Sequence, residues 1–405
     1  MNGPLSGIRV LALSHAQAGP YGSMLLADLG AEVIKVEPPP TGDMGRSFGG
    51  PSHQGESYYF LAYNRGKKSL VLDLGTELGK KAFYDLVRAS DVVWDNYRPG
   101  VMRRLGADYE TLKELNPRII CSSISGFGAS GPYCDLPAYD IIAQGMSGIM
   151  SITGEPGRPP LRTGPAIADF TAGTMAALGV CAAIAGRERT GRGQRVEVSL
   201  LDSCLSLLSY HLSYYFCSGE VPGPTGSGHL SLIPYGAYQT SDGFITLGIS
   251  WPRAARTLGL DWMIDDPRFS TREARWQNRE EFERIFSERL RQASSEQWLA
   301  LMRQDDIAAG PVNTLDKVAA DPQVQHNRMV LNIKHPRGGE VRLVGNPVKM
   351  PGGIEEEYPP PPTLGQHNDE VLRGLLGYSQ EMVKALRRQE EAHAAELERH
   401  LHKER

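Results

Sequence analysis

The residue whose type and setting most invite chemistry is Asp169. It stands in Gly164-Pro165-Ala166-Ile167-Ala168-Asp169-Phe170-Thr171-Ala172-Gly173, a lone carboxylate among small and apolar residues where a small-residue helical pattern (172–185) begins. A carboxylate at a helix start has two uses. As an N-cap it accepts backbone N–H bonds from the first turn. As a nucleophile it uses the same positive end to stay ionised in a partly dry cleft and attack a carbonyl carbon. The stretch alone leaves both open.

Several other marked segments accompany it. They are Val33-Ile34-Lys35-Val36-Glu37-Pro38-Pro39 with Gly42-Asp43 and Arg46, Asn64-Arg65-Gly66-Lys67-Lys68-Ser69-Leu70, and Asp95-Asn96-Tyr97-Arg98-Pro99-Gly100. Further on come Ser125-Gly126-Phe127-Gly128-Ala129-Ser130-Gly131-Pro132-Tyr133 and Pro362-Thr363-Leu364-Gly365-Gln366-His367-Asn368. Taken singly, the basic run reads as a solvated turn and the glycine-rich loops as plain turns. Arg103-Arg104 reads as a pair compensating a helix dipole.

These residues need elements to hold them, and the first half of the chain alternates strand and helix patterns. Strands are expected at 7–13, 32–37, 69–74, 91–96 and 119–124, with helices at 20–29 and 77–87. Two helical patterns between Ala172 and Phe216 flank a strand at 194–198. Such alternation predicts a parallel sheet with helices on both faces, a Rossmann-like α/β domain. Ligands of such sheets bind beyond the carboxyl ends of the strands, which points to residues 14–17, 37–38 and 72–74. The first turn, Ser14 to Pro20, lacks G-x-G-x-x-G, and the chain has no Walker lysine loop, so the usual dinucleotide cradle is not expected.

Near residue 220 the texture changes to a Pro/Gly run, followed by short strands at 236–239 and 244–248 and amphipathic patterns at 279–290 and 295–302. The expected division is a large Rossmann-like domain over 1–224 and a smaller α+β domain over 225–330. A return segment (331–377) completes the large domain, and a charged helical tail (378–405) reads as solvated or partly frayed.

Composition narrows the function classes. The 405 residues carry a net charge of −4, with 40% hydrophobic and 22% charged content. That balance gives no electrostatic reason for nucleic-acid binding. No run approaches the roughly 18 apolar residues of a membrane span, and no secretory signal is visible. Five scattered cysteines without C-x-x-C spacing read as reduced packing residues in a cytoplasmic protein, with no metal site.

In this order and spacing the marked segments resemble the class III coenzyme A transferases, the formyl-CoA and carnitine-CoA transferase (CaiB/BaiF) family, over essentially the whole chain to about residue 377. The resemblance implies that Asp169 is the nucleophile and that CoA contacts fall on His15, Ala16, Gln17, Leu72, Asp73, Leu74, Gly75, Asn96, Tyr97, Arg98, Arg104, Ala138 and Tyr139. It implies acyl-CoA and a carboxylic acid as substrates, no permanently bound cofactor, and an interlocked homodimer of two-domain chains. The stretches 226–235 and 238–243 look like the branch that uses succinyl-CoA and dicarboxylic acids. Arg46, Arg162 and His229 are the candidates to hold an acceptor carboxylate, a bidentate task suited to Arg.

Two departures from the family stand out. Pro38 and Pro137 occupy places where some members are basic, and Gly248-Ile249-Ser250-Trp251-Pro252 replaces a glycine-run lid. The oxyanion donors are expected from the helix start at Phe170-Thr171 or from a glycine turn. An α-methylacyl-CoA racemase is the alternative, but the position of its histidine base is Tyr139 here, a poor replacement. A CoA-dependent lyase or isomerase and a non-catalytic CoA-binding protein are the remaining readings.

Overall fold

The computed structural model describes residues 3–350 and 357–403. The outer ends of the first and last expected segments (residues 1–2 and 404–405) and residues 351–356 of the return segment lie outside the described residues. The chain divides into two compact units: Met1–Ser147, Thr163–Leu208 and His326–Arg405 form the larger, Gly148–Arg162 and Ser209–Gln325 the smaller.

The larger unit runs β1 (Arg9–Leu13), α1 (Ala18–Asp28), β2 (Glu32–Glu37), α2 (Tyr58–Tyr63), β3 (Lys67–Val71), α3 (Glu77–Arg88), β4 (Val92–Asp95), β5 (Ile120–Ser125), α4 (Asp140–Ser147), α5 (Ile167–Thr190), β6 (Arg195–Ser199) and α6 (Leu200–Leu207). The six strands pair in parallel in the order β3-β2-β1-β4-β5-β6. The order reverses between β1 and β4. Chains leaving those two strands turn to opposite faces and open a crevice at their carboxyl ends, where such sheets take their ligands. β3 ends at Val71, short of the expected 74, because Asp73 and Thr76 already serve the next helix. Thr76 caps α3 by accepting the Gly79 N–H at 3.0 Å.

One sheet face packs on α3, whose buried Gly79, Ala82, Phe83, Leu86 and Val87 form an i, i+3, i+4, i+7 stripe against Leu11, Ile34, Leu70 and Val93. Phe83, Leu86 and Val87 each contribute about 1.5–3 kcal/mol by leaving water. The other face meets α5, and there the fit depends on missing side chains. A Cβ at Gly22 of α1 would lie 2.5 Å from the Gly173 carbonyl oxygen, and one at Gly173 would lie 2.7 Å from that of Ala18. Only glycine lets the two helices approach so closely. By length and composition α5 could cross a membrane, against the expectation that no run comes near a span; its Ala/Gly side lies against α1 and the sheet.

The smaller unit holds α7 (Ser209–Ser218), the antiparallel β7 (Gly236–Gln239) and β8 (Phe244–Leu247), α8 (Arg279–Leu290), α9 (Ser295–Gln304) and β9 (Ala309–Pro311), which joins the edge of β8. Its core centres on Phe282 and Phe286, stacked at 4.3 Å, with Phe269, Met302 and Trp298. It begins earlier than the expected residue 225 and also takes in 148–162. That stretch has no periodicity to betray it, and it is fastened by the bond from the Gly226 N–H to the Gly154 carbonyl at 2.9 Å.

The return segment forms the hairpin β10 (Val330–Lys334) and β11 (Glu340–Val344). The tail forms α10 (Gln380–Lys403), and it is not merely solvated. Leu386 enters the core with Leu372 and Tyr378, and Glu390 is buried against the turn after β3.

Candidate active site

At the β1/β4 reversal a cavity of about 350 Å³ is lined by His15, Ala16, Gln17, Met44, Asn96, Tyr97, Arg98, Ser125, Gly126, Cys134, Ala138, Tyr139 and Asp169, among others. Residues spread over more than 150 positions meet here because each follows the carboxyl end of a strand or opens a helix. Nine of the residues singled out from sequence fall on this one wall.

The turn after β1 is held rigidly. The Asn96 side chain clamps His15 from both sides, accepting its N–H and donating to its carbonyl, each at 2.9 Å. Ala16 sits at φ +58°, a left-handed conformation that costs a non-glycine residue on the order of 1 kcal/mol. Its N–H donates to Asp43 at 2.9 Å, which offsets that strain. Asp43 in turn pairs with the fully buried Lys35 at 2.7 Å, and Lys35 also donates to the Ser14 carbonyl at 2.6 Å. Burial alone would raise the Asp43 carboxyl; the charge and hydrogen bond of Lys35 outweigh it and hold the group below the usual range. Burial lowers His15, so its imidazole is neutral at pH 7. Beneath the Asn96 turn, Asp95 accepts from Ser123 Oγ at 2.5 Å and from the Tyr97 N–H at 3.1 Å, and burial raises its pKa to about 6.

Asp169 is not the N-cap of α5. The cap position is Ala166, which has no capping side chain, and Asp169 is the third helical residue. The missing cap comes from elsewhere: Asp140 Oδ1 accepts the Ala168 N–H at 2.9 Å, while its Oδ2 accepts from Gln144 at 2.7 Å. Capping from a neighbouring helix leaves the Asp169 carboxyl free, and among the described residues no hydrogen bond holds it. Burial first, and the Asp140 charge second, raise its pKa to about 7. A carboxyl tuned so is ionised in half the molecules at neutral pH, and when ionised it is a stronger base than an ordinary aspartate. The Phe170 N–H, expected as an oxyanion donor, is spent on the Ala166 carbonyl at 3.0 Å. Thr171 lies one residue deeper in the helix.

Other expected residues lie elsewhere. Leu72 and Leu74 are buried in the core, and Asp73 and Gly75 face α10; none of the four lines the cavity. Arg104 is exposed on the short helix 101–105 and also stands off the cavity wall. Arg46 has no free donor fork for a substrate carboxylate. Its guanidinium forks onto Glu37 with two bonds of 2.8 Å, reaches Glu56 at 3.1 Å, and lies over the Phe60 ring. Arg162 and His229 belong to the smaller unit. There His229 stacks on Tyr210 and borders a wide groove with Glu155, Glu220, Glu280 and Glu283 against a single Arg279, surroundings that disfavour a dicarboxylate.

Sequence reasoning missed Asp140, Tyr59 and Tyr63. Tyr59 donates its hydroxyl to Gln17 at 2.8 Å, and both phenols are pushed up by burial, with the charge of Asp169 adding to it, Tyr63 to about 12. They are neutral phenols close enough to Asp169 to feel its charge. Nothing local in Tyr58-Tyr59-Phe60-Leu61-Ala62-Tyr63 marks it as more than an apolar helix.

The site is thus a partly buried, unbonded carboxylate at the strand-order reversal of a doubly wound sheet, the place where such sheets take their ligands. The model of CoA-transferase family III matches residues 5–368. The succinyl-CoA:glutarate CoA-transferase of Mus musculus is 37% identical over 387 residues, covering 95% of this chain and 89% of that protein. The succinate–glutarate CoA-transferase of Agrobacterium fabrum is 38% identical, covering 92% and 96%. A CaiB/BaiF family protein from Brucella suis superposes with a TM-score of 0.83 at 35% identity, covering 93% of this chain and all of that one. The chain belongs to CoA-transferase family III and is a CoA-transferase.

Proposed function

We propose that the protein moves CoA from succinyl-CoA to a dicarboxylic acid of the glutarate type, with Asp169 as the covalent carrier. The observation that carries the reading is the unbonded Asp169 carboxyl, poised near pKa 7 in the crevice at the strand-order reversal. The 37–38% identity to succinyl-CoA:glutarate and succinate–glutarate transferases supports the choice of acids.

The steps follow from carboxylate chemistry. An Asp169 oxygen attacks the thioester carbon; the C–S bond breaks, leaving an aspartyl-succinyl anhydride and CoA thiolate. The thiolate attacks the aspartyl carbonyl carbon, releasing succinate and forming an aspartyl-CoA thioester. The acceptor carboxylate attacks that thioester, CoA thiolate leaves again, and a second anhydride forms. Attack of the thiolate on the acceptor carbonyl releases the new acyl-CoA and frees Asp169. One thioester is made for each one broken, so the cycle asks for no external energy source and no permanently bound cofactor. His15, Ala16, Gln17, Asn96, Tyr97, Arg98, Ala138 and Tyr139 bind the pantetheine arm and its phosphates, with Leu72–Gly75 and Arg104 taking the outer nucleotide. Tyr63, neutral and close enough to feel the Asp169 charge, is a side-chain donor for the oxyanion, whereas the Tyr59 hydroxyl is spent on Gln17.

The working form is a homodimer, which we read as interlocked. Unpartnered apolar side chains support this: Leu178 on α5 is 63% exposed, and Ile141, Ile142 and Met146 of α4 and Leu205 and Leu207 of α6 are also open to solvent. In the smaller unit α7 buries none of its residues and exposes Phe216 by 74%. The five cysteines are free, in keeping with a cytoplasmic setting.

Intact-protein mass after mixing with succinyl-CoA tests the mechanism. An adduct that Asp169→Ala lacks is expected; α-proton exchange in deuterated water without any adduct would overturn it in favour of the racemase. Light scattering should give twice the 44.4 kDa chain mass.

A further inference from the structure

The turn after β3 is gripped by the C-terminal helix. Arg387 donates to the Val71 carbonyl at 3.0 Å, the Asp73 N–H donates to Glu390 at 3.0 Å, and the Leu78 N–H donates to Gln389 at 2.8 Å. His393 Nδ1 meets Asp73 Oδ2 at 2.6 Å, while Asp73 Oδ1 accepts the Gly75 N–H at 2.8 Å. Arg387 and Glu390 pair with each other at 2.6 Å, so each grips the turn in a fixed geometry. A Cβ on Gly75 would stand 2.7 Å from His393 Cε1, so the helix touches the turn along its backbone.

Leu386, with Met382 and Val383 packed beside it, anchors the helix on the core. The polar contacts do something else. They converge on the turn and the start of α3 at the ligand-binding edge of the sheet, on polar groups that would otherwise fluctuate in water. β3 lies two strands from β1, about 10 Å away, on the same carboxyl edge of the sheet.

We propose that α10 is a strap that fixes the Val71–Gly75 turn for the nucleotide end of CoA, with His393 as a positioning residue acting through Asp73. The inference rests on the CoA-transferase reading above. Holding the turn in place before binding removes an ordering cost from CoA affinity, and the acyl chemistry at Asp169 is untouched.

The test compares two donors, succinyl-CoA and succinyl-pantetheine, which lacks the nucleotide. In His393→Ala the KM for succinyl-CoA should rise about five- to tenfold, the size of one ordinary net hydrogen bond, because the effect reaches CoA only through the turn. The kcat and the KM for glutarate should stay put, and succinyl-pantetheine should not distinguish variant from wild type. His393→Asn, whose Nδ2 takes the place of ring Nδ1, should restore the KM. An unchanged KM for succinyl-CoA, or an equal loss with both donors, overturns the strap. Calorimetric titration with CoA and with pantetheine reads the same contrast without turnover. Absence of transfer by the wild type would therefore sink the enzymatic reading alone and leave the strap to be judged by binding.

Discussion

Asp140→Asn should move the acid limb of kcat/KM for the acyl-CoA donor down by about one pH unit. In the free enzyme that limb reports the ionisation of the nucleophile, and Asp169 stands at about 7, raised first by burial and then by the charge of Asp140. A like charge close enough to be felt across the site repels by on the order of 1–2 kcal/mol at an effective dielectric constant of about 20–40. Because Asp169 is only partly buried, the lower end applies, about one pKa unit. At pH 6 the ionised fraction then rises from roughly a tenth to a half, a gain of about fivefold in kcat/KM. Asparagine keeps a carbonyl to accept the Ala168 N–H, so the helix stays capped. What it loses is the bond from Gln144 Nε2, since the Gln144 carbonyl is already taken by the Thr163 N–H. That costs about 1 kcal/mol of stability and not the pH limb. The plateau above pH 8 should fall slightly, because a less basic carboxylate is a weaker nucleophile. Stopped assays of CoA exchange from pH 5 to 9 decide it. A limb that stays put in the variant, or a wild-type profile flat down to pH 5, refutes the tuning argument.

Asp169→Asn should abolish turnover and covalent labelling yet stabilise the fold at high pH. A carboxyl whose folded pKa is raised favours the native state below its unfolded value near 4 and loses that advantage as pH rises through 7. The variant should therefore melt higher than wild type at pH 8, by on the order of 1–2 kcal/mol after solvent screening, and no higher at pH 4. Asn96→Ala severs both bonds to His15 and should raise the donor KM about tenfold, in steady-state assays, with a smaller change in kcat. Lys35→Met leaves Asp43 buried without its cation. Denaturant titration should show a loss of about 3–5 kcal/mol, and a loss under 1 would mean the pair is structurally idle.

Much of the larger unit was legible in the chain. Strand and helix patterns gave five of the six parallel strands to within a residue or two, because buried parallel strands write themselves as short apolar runs between helical periods. The exception, β3, was placed late, since Leu72 and Leu74 are as apolar as strand residues although they already belong to the turn. The segments 148–162 and 209–224 were assigned to the wrong unit. Loop segments carry no periodicity, and membership in a unit is decided by contacts such as Gly226 with Gly154. The tail misled for a related reason: a charged helix that is mostly solvated differs from a strap by one leucine and a few polar side chains.

For the site, residue type and the following helix or strand made Asp169 and the His15 and Asn96 turns candidates, and the family resemblance, not the stretch itself, chose their roles. The free state of the Asp169 carboxyl was legible in neither. It depends on Asp140 capping α5 from another helix and on burial in the crevice, and both are distances across the fold. Arg46 shows the converse: its sequence offers a guanidinium fork, and folding consumes it on Glu37 and Glu56. Sequence set the chemical repertoire and the order of the elements. The tertiary structure decided which charged groups stay free to act, because electrostatic availability is a property of neighbours in space rather than neighbours in the chain.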